Sequence, residues 1–378
     1  MMSAVTYTDV IGQHEVKEHV LRMVHEGRVP HALMFSGCEG AGAMPMALAL
    51  ARHLLCEHPT SEGPCQTCAG CRMTAGWAHP DLHFSFPVYK AKSTDRPTSV
   101  DYLPQWREQL QESIYFDTEM WLSDIKAENQ QITHYVQESD RLQECLALKP
   151  SQGGRRVVLQ WLPERMDAAP ANKLLKLIEE PPAHTHFILV SLQPELVLGT
   201  IQSRVQRISL PPLAEQDIAQ ALMQREGVAP MLAQEVAHMA QGNYTEALKQ
   251  VHAKGENREF NTFFVNLMRL CYARKVKELR LWAQSAAELG RERQKRMLVH
   301  FQHLLRENFI YNFRTPELSY ETREEKDFSE RFAPFINERN IIGIMDEMSQ
   351  AQRDIAQNVN PRMVFFDFAL KMIILIRQ

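Results

Sequence analysis

The segment Ser36-Gly37-Cys38-Glu39-Gly40-Ala41-Gly42-Ala43-Met44 decides the fold. Gly37 and Gly42 have the spacing of a phosphate loop, G-x-x-x-x-G-K-[ST], whose backbone N–H groups cradle phosphates. Such a loop continues with lysine and then serine or threonine, but Ala43 and Met44 stand at these positions. Lysine contacts the outer phosphates and the hydroxyl binds Mg²⁺. The loop therefore keeps its glycine frame and lacks the groups needed for hydrolysis.

The residues on either side of this loop predict a strand, a turn and a helix. His31 to Ser36 is an apolar run that is typical of a buried strand. Pro45 suits a first helical turn, and the Ala- and Leu-rich segment from Met46 to Leu55 favours a helix. A phosphate loop requires this context. A glycine turn in an ordinary α/β protein is the alternative at this stage.

The composition excludes several classes of protein. The chain has 378 residues, with 42 basic and 46 acidic side chains, so no overall charge draws it to DNA or to an anionic membrane. Residues 1–13 lack the pattern of a signal peptide. The apolar stretch from Met363 to Ile376 is too short to span a bilayer and carries charges, which predicts a buried or partner-facing terminal helix. We expect a soluble, cytoplasmic protein that does not bind a membrane.

Four of the seven cysteines lie close together in the sequence. Their spacing is C-x8-C-x2-C-x2-C, and without an export signal a set of disulfides is not expected. Four thiolates in a short loop form a closed tetrahedral zinc site, although iron–sulfur proteins share part of this spacing and free thiols are a further alternative. The predicted ligands of a structural zinc are Cys56, Cys65, Cys68 and Cys71. The isolated Cys38, Cys145 and Cys271 are interpreted as packing residues.

Further along the chain, strands alternate with a helix, which predicts a parallel sheet covered by helices. The strands are expected at 155–162, 187–191 and 205–210, with a helix over 168–180 that ends at two prolines. The segment from Phe84 to about Gly153 is expected to be irregular and then helical, with a surface excursion over 90–104.

Strand patterns stop after Pro211-Pro212, and amphipathic helices follow. We therefore predict an α/β core over residues 1–210, with the zinc module at about 56–71. A small helical module is predicted over 211–254 and a helical C-terminal domain over 255–378. The charged run 291–296 favours a solvated helix face over a phosphate-contacting patch, and the mixed run 323–326 is predicted to lie at the surface.

Several motifs together resemble the clamp-loader AAA+ family, most closely the delta-prime type of bacterial DNA polymerase III. The resemblance covers residues 7–82 and 130–250, and only loosely the C-terminal domain. The matching motifs are Tyr7-Thr8-Asp9-Val10-Ile11-Gly12-Gln13, the loop from His31 to Gly42, the four cysteines followed by His79-Pro80-Asp81, Ala171-Asn172-Lys173-Leu174-Leu175-Lys176-Leu177-Ile178-Glu179-Glu180-Pro181-Pro182, and Ser203-Arg204-Val205.

The departures from this family matter as much as the matches. ATP-hydrolysing members end a strand with an acidic pair where this chain has Leu162 and Pro163, and Glu164 lies close by in a shifted register. Ser191-Leu192 stands where a sensor asparagine is usual, and the run 242–248 lacks the expected arginine. The resemblance then implies weak or no binding of ATP or ADP at Gly37, Gly40 and Gly42. The chain itself is not expected to be an enzyme.

The resemblance also implies a role for Arg204 as an arginine finger that reaches the ATP of a neighbouring subunit. A fixed guanidinium spreads the charge of the transferring phosphoryl group and accelerates hydrolysis by several powers of ten. The alternative is an arginine that merely pairs with a carboxylate at the start of a strand.

The family implies a non-hydrolysing clamp-loader subunit that helps to seat a sliding clamp on primed DNA. Its expected partners are gamma/tau-type and delta-type subunits, with the clamp and DNA reached through the complex, and it would be classed with DNA polymerase only as part of that holoenzyme. The C-terminal domain is expected to join the other subunits in a collar. An active gamma/tau-type ATPase that uses Glu164, or a zinc-dependent nucleic-acid binding protein, are the alternatives.

Overall fold

The computed structural model describes residues 5–92, 94–127, 130–151, 154–312 and 332–377. Contacts divide the chain into two compact units, the first ending at Val251 and the second beginning at His252. The predicted split of the first unit into a core over 1–210 and a helical module over 211–254 stays a prediction. The mixed-charge run 323–326 lies outside the described residues.

The first unit is built on a parallel sheet of five strands in the order β2-β3-β4-β1-β5. The strands are β1 Ala32–Gly37, β2 Leu82–Ser85, β3 Arg156–Trp161, β4 Thr185–Ser191 and β5 Gln206–Leu210. The strands predicted at 155–162, 187–191 and 205–210 are confirmed with small shifts at their ends. The strand β2 was not predicted, because a segment of four residues is too short to show a period of its own.

Helices connect the strands and cover both faces of the sheet. Those of the first unit are α1 His14–His25, α2 Ala43–Leu54, α3 Ala69–Ala75, α4 Leu103–Glu112, α5 Thr118–Asp124, α6 Val136–Ala147, α7 Ala168–Glu179, α8 Gly199–Gln202, α9 Glu215–Arg225 and α10 Pro230–Met239. Alternate residues of β1 point to opposite sides, so Leu33 and Phe35 join the core that contains α2, while Ala32 and Met34 join the core that contains α7.

The segment between β2 and β3 packs into the core of the first unit. Trp106 of α4 is fully buried, and its ring lies 4.2 Å from that of Phe86 and 5.2 Å from that of Trp121, measured between centroids. The ring of Trp161 at the end of β3 lies 5.3 Å from the same indole. Aromatic pairs of this kind contribute about 0.5–1.5 kcal/mol each beyond the area they bury. The prediction that this segment becomes helical is confirmed by α4, α5 and α6.

The second unit is helical, as predicted. Helix α11, Tyr244–Tyr272, contains the boundary between the units, and α12 Val276–Ala287, α13 Arg291–Tyr311, α14 Ile341–Ala356 and α15 Pro361–Leu375 follow. Their shared core includes the buried rings of Phe264, Phe301 and Phe365. The predicted terminal helix buries one face, which includes Phe365, Phe368 and Met372, and leaves Met363 and Ile374 exposed. Among the described residues, no helix has the length and apolar character to cross a bilayer.

The charged run at the start of α13 forms ion pairs with α11. Arg293 Nε lies 3.1 Å from Glu256 and its Nη2 2.6 Å from Glu259, while Arg296 Nη2 lies 2.8 Å from Glu256. Hydrogen bonds from Arg296 and Arg293 lower the pKa of the Glu256 carboxyl. These two arginines therefore join helices within the second unit, in agreement with a solvated helix face.

Candidate functional site

The glycine loop joins β1 to α2 with the backbone of a phosphate loop. Gly40 and Gly42 have φ angles of +69° and +102°, which favour glycine. A buried side chain holds the loop in place: Gln13 Nε2 donates hydrogen bonds to Ala41 O at 3.0 Å and to Pro211 O at 2.6 Å. The structure thus places Gly37, Gly40 and Gly42 at the C-terminal edge of the sheet, where α/β proteins bind ligands.

The protein's own side chains pack closely against this loop at Gly42. A Cβ on Gly42 would lie 3.3 Å from Tyr115 Oη, and this hydroxyl accepts a hydrogen bond from the Ile11 N–H at 2.8 Å. The ring of Tyr115 lies 5.0 Å from that of Tyr244, and both residues are buried. The first turn of α2 is therefore enclosed, with Met44 only 7% exposed.

The start of α11 closes the other side of the loop. A Cβ on Gly40 would lie 2.0 Å from Asn243 Oδ1 and 2.7 Å from the Tyr244 nitrogen. Asn243 caps the helix by accepting a hydrogen bond from the Glu246 N–H at 3.0 Å. The segment in which the family carries an arginine thus serves here as a packing partner of Gly40. Gly40 therefore has no room for a side chain beside the start of α11.

The electrostatics at the loop disfavour an anion. The pKa of Glu39, within the loop, is raised by its burial and by the charges of Asp117, Glu119 and Glu246, while Lys249 opposes this shift. Lys249 itself bonds to the carboxylates of Asp117 and Glu119. Nucleotide-binding loops present positive charge and free N–H groups to the phosphates. This loop contains the acidic Glu39 and lacks the lysine.

The end of β3 is held by groups other than an acidic pair. His134, which is buried, has Nε2 at 2.9 Å from Trp161 O and 3.2 Å from Leu162 O. Burial lowers the pKa of His134, so the neutral ring is the form that fits, with Nε2–H donating to both carbonyls. Glu164 Oε1 accepts hydrogen bonds from the backbone N–H groups of Leu192 and Gln193 at 2.9 and 3.1 Å. The Glu164 carboxylate is therefore engaged in holding the loop after β4.

Arg204 lies at the surface, just before β5. Its side chain is 39% exposed and forms an ion pair with Glu179 at the end of α7. Its Nη1 donates to Thr200 O at 2.9 Å and contacts Ser203 Oγ at 3.2 Å. The guanidinium is thus positioned by its neighbours and open to solvent, and the pairing with a carboxylate is compatible with either predicted role. The nearby Arg207 is directed to a different place, since its Nε donates to Ser36 Oγ at 2.8 Å.

The four predicted zinc ligands come together beyond the C-terminal end of α2. All their sulfur atoms lie within 4.8 Å of one another, and the pairs Cys56–Cys68 and Cys65–Cys71 are both separated by 3.9 Å. Sulfurs that each lie at 2.3 Å from one tetrahedral zinc are separated by about 3.8 Å. An iron–sulfur cluster places several metal ions between its cysteines and holds them farther apart. The cluster therefore has the size of a site for a single ion.

The backbone around the cluster is arranged for thiolates. The N–H groups of Cys65 and Cys71 donate to the sulfurs of Cys56 and Cys68, each at 3.3 Å. Backbone N–H groups of Thr67 and Cys68 lower the pKa of the Cys65 thiol, whereas burial raises the pKa values of the Cys56 and Cys71 thiols. A Cβ on Gly70 would lie 2.4 Å from the Leu55 carbonyl oxygen, so a glycine is needed for the turn to pass α2. Of the isolated cysteines, Cys271 is buried but Cys38 is exposed, which corrects its predicted packing role.

Taken together, the fold and sites define a phosphate-loop α/β protein with a degenerate loop, a four-cysteine module and a helical C-terminal part. The predicted architecture of a parallel-sheet α/β core with a four-cysteine insertion, followed by helices, is confirmed. The family model described as "DNA polymerase III, delta subunit" matches residues 12–214, more than half of the chain. The chain belongs to this family.

Individual relatives agree with this assignment. The DNA polymerase III subunit delta′ of Bacillus subtilis is 26% identical over 70% of this chain and 66% of its own length. The delta′ subunit of Escherichia coli is 30% identical over 53% of this chain and 48% of its own length. The gamma/tau subunit of Mycobacterium bovis is 27% identical over 59% of this chain and 32% of its own length. The matches thus span about half to two-thirds of the delta′ relatives.

Proposed function

We propose that this chain is a non-hydrolysing clamp-loader subunit of the delta-prime type, which works through its neighbours in the complex. The enclosed phosphate loop carries this proposal. Tyr115, Asn243 and Tyr244 pack closely against Gly40 and Gly42, and Glu39 adds an acidic side chain to the loop. The lysine and hydroxyl that would contact the outer phosphates and Mg²⁺ are also replaced, by Ala43 and Met44.

Arg204 is the residue that would act on a neighbouring subunit. Its exposed guanidinium is held by Thr200 and Glu179, so little conformational freedom would be lost on reaching a neighbour's phosphates. A gamma/tau-type subunit would supply the ATP, and a complex of such subunits would load the sliding clamp on primed DNA. The C-terminal unit would join these subunits in a collar.

The cysteine cluster would hold zinc in this proposal. The sulfurs of Cys56, Cys65, Cys68 and Cys71 would be the ligands, and four protein ligands leave no open position for chemistry. The metal would stabilise the loop between α2 and β2.

Reconstitution with gamma/tau-type and delta-type subunits tests the role of Arg204. Arg204→Ala should lower the ATPase rate of the complex by at least tenfold, because the finger acts only on the transition state. Arg207→Ala removes the same charge from the adjoining strand and should leave the rate within about twofold. Assembly is measured in parallel by gel filtration. An Arg204→Ala complex that assembles and hydrolyses ATP at the wild-type rate would contradict the finger.

Nucleotide titration separates this function from that of an active gamma/tau-type ATPase, the candidate favoured by the similarity to gamma/tau subunits. The isolated wild-type chain should bind no Mg-ATP, and Ala43→Lys with Met44→Thr should not restore binding, because Tyr115 and Asn243 still occupy the loop. Tight binding of Mg-ATP by the wild type, with hydrolysis, would favour the ATPase instead.

A further inference from the structure

One end of the helical second unit carries a concentration of positive charge. Between residues 269 and 280, at the end of α11 and the start of α12, five side chains are basic and one is acidic. Acidic side chains outnumber basic ones in the chain as a whole, 46 to 42, so this excess is local. A charged run alone is most often a solvated face, so its neighbours decide what it does. The exposed basic residues are Arg269, Arg274, Lys275, Lys277 and Arg280.

The turn between α11 and α12 holds part of this charge on a fixed backbone. The N–H groups of Arg274 and Lys275 bond back to carbonyls in the last turn of α11, both at 3.1 Å, and Arg274 has a φ of +52°. This is a common way to end a helix. Within the described part of the chain, the side chains of Arg274 and Lys277 form no ion pair, whereas Lys275 lies 3.7 Å from Glu278. Two cations of the turn are therefore held in place without an acid to neutralise them.

Two exposed aromatic rings lie beside this turn. Tyr272, the last residue of α11, is 51% exposed, and Phe335, shortly before α14, is 38% exposed. Their ring centroids lie 5.1 Å apart, with the ring planes at 65°. Arg377, just after α15, donates from Nη2 to Tyr272 O at 2.7 Å, and its guanidinium carbon lies 5.2 Å from the centroid of the Tyr272 ring. Three segments that are distant in sequence thus bring two rings and a guanidinium together at the surface.

We infer that this surface binds single-stranded DNA. The aromatic–basic surface consists of Tyr272, Arg274, Lys277, Phe335 and Arg377. Proteins that bind single strands without sequence preference combine cations along the phosphates with aromatic rings on which bases stack, and arginine adds to the stacking. Both components are present at this end of the second unit. The inference goes beyond the proposed function, in which DNA is reached only through the complex.

The combination of rings and cations favours a single strand over other anions. In a duplex the faces of the bases are covered by their neighbours, so exposed rings have little to stack on and the cations alone contribute. An acidic polypeptide would pair with the arginine and lysine side chains, but its carboxylates have no flat face for Tyr272 and Phe335. A single strand offers phosphates and bare bases together, and therefore uses every part of the surface.

The test measures the binding of a fluorescein-labelled oligo(dT) to the full chain by fluorescence anisotropy. An oligonucleotide of about 20 residues is longer than the ~4–16 nucleotides that such sites cover. The wild type should bind it at low salt, and the affinity should fall linearly with salt on logarithmic axes. Each phosphate contact contributes about 0.7 to that slope. A duplex of the same length is titrated in parallel.

Tyr272→Leu tests the aromatic part of the surface, because it removes the ring and keeps an apolar side chain. Binding of oligo(dT) should weaken about 5- to 100-fold, the effect of losing one stacked base. The salt slope and the binding of the duplex should not change, since no charge is lost. Tyr272→Phe keeps the ring and should bind oligo(dT) within about twofold of the wild type.

Arg274→Gln combined with Lys277→Gln tests the charge. This double variant should lower the salt slope by about 1.4, or about 0.7 for each cation removed. Arg362→Gln is the matched control, because Arg362 is exposed at the start of α15, whereas Arg377 follows the end of the same helix. A helix of 15 residues separates these two ends by about 22 Å. The control should retain the wild-type affinity and slope.

Three results would overturn the inference. The first is a wild-type chain that does not bind oligo(dT) at low salt, and the second is a folded Tyr272→Leu variant that binds it like the wild type. The third is competition by poly-glutamate as strong as that by unlabelled oligo(dT), in wild type and Tyr272→Leu alike, which would identify a general surface for acidic polymers. If Tyr272→Leu does not fold, the double charge variant decides, since an unchanged slope there would also overturn the inference.

Reconstitution with gamma/tau-type and delta-type subunits separates this result from the proposed function. Loss of oligo(dT) binding by Tyr272→Leu, with normal assembly, supports the inference. Normal oligo(dT) binding with failed assembly of Tyr272→Leu would show that the surface contacts another subunit, and would overturn the inference while leaving the non-hydrolysing role in place. A wild-type chain that binds oligo(dT) through Tyr272 but joins no such complex would remove the proposed function alone.

Discussion

The two ends of helix α2 carry two candidate binding sites that differ in how much of their ligand-binding chemistry is retained. At its N-terminal end, the glycine loop has the backbone of an anion site but is enclosed by Tyr115 and Asn243. At its C-terminal end, the four cysteines proposed to bind zinc have their sulfur atoms within 4.8 Å of one another. The same helix, Ala43–Leu54, thus joins a ligand site filled by protein to a cluster that retains its donors.

This difference indicates which kinds of binding site are retained and which are lost. A loop of glycines has no affinity of its own once its charged and hydroxyl groups are gone, and other side chains then gain free energy by filling the space. A set of four thiolate ligands cannot be lost one residue at a time without cost. Each sulfur contributes directly to the affinity for the metal and, through metal binding, to the free energy of folding. The fold is expected to tolerate change in the loop and to depend on the cysteines.

Loss of one metal ligand should have the largest effect. Cys71 is 1% exposed, and Cys71→Ser leaves three thiolates and a buried hydroxyl. We expect loss of bound zinc and a fall of roughly 3 kcal/mol or more in the free energy of unfolding of the first unit. Metal content by mass spectrometry and the thermal midpoint measure this change.

Cys145→Ser is the control for that substitution, because Cys145 is half-buried and lies outside the cluster. This variant should retain one zinc per chain. Full zinc content and an unchanged thermal midpoint in Cys71→Ser would show that the fold does not depend on the cysteines at this end of α2.

Opening the enclosed end should have the next largest effect. Tyr115→Ala removes a buried ring in contact with Gly42 and Tyr244 and should lower the free energy of unfolding by about 3 kcal/mol. Tyr115→Phe removes only the hydrogen bond with the Ile11 N–H, at a cost of about 1 to 2 kcal/mol. Urea unfolding monitored for the first unit gives both values. Equal effects of the two substitutions would show that the ring does not fill the site.

Much of this arrangement follows from the sequence. The apolar runs before the glycine loop and at 155–162 and 187–191 predict the central strands, because fully buried strands are continuous in apolar residues. The spacing of Cys56, Cys65, Cys68 and Cys71 predicts the cluster, because its ligands are local in sequence. The degenerate loop is visible at Ala43 and Met44.

The enclosure of the loop could not be predicted in the same way. The hydrogen bond from Ile11 to Tyr115 joins residues 104 positions apart, and no local pattern marks either partner. The contact of His134 with the end of β3 could not be predicted from a local pattern either, and neither could the short strand β2.

The smallest expected effect concerns the charge in the loop. Burial and the nearby carboxylates of Asp117, Glu119 and Glu246 raise the pKa of Glu39 in the folded state. A raised pKa means that the folded protein favours the protonated form, so this contribution to stability is present at pH below about 4.3, the unfolded value, and is lost as the pH rises through the folded value. At pH 7 the Glu39 carboxylate therefore opposes folding.

Glu39→Gln should stabilise the protein at pH 7 by about 0.5 kcal/mol or less, since the residue is only half-buried. The gain should shrink toward pH 4, where the wild-type side chain is protonated. Glu62→Gln is the control, because Glu62 is exposed and lies in the cysteine module rather than in the glycine loop. Urea unfolding of both variants at pH 4 and pH 7 measures the difference. If Glu39→Gln were less stable than the wild type at pH 7, the carboxylate would be held by a favourable contact. The loop would then stabilise an acidic side chain instead of being a former anion-binding loop that is now occupied by protein.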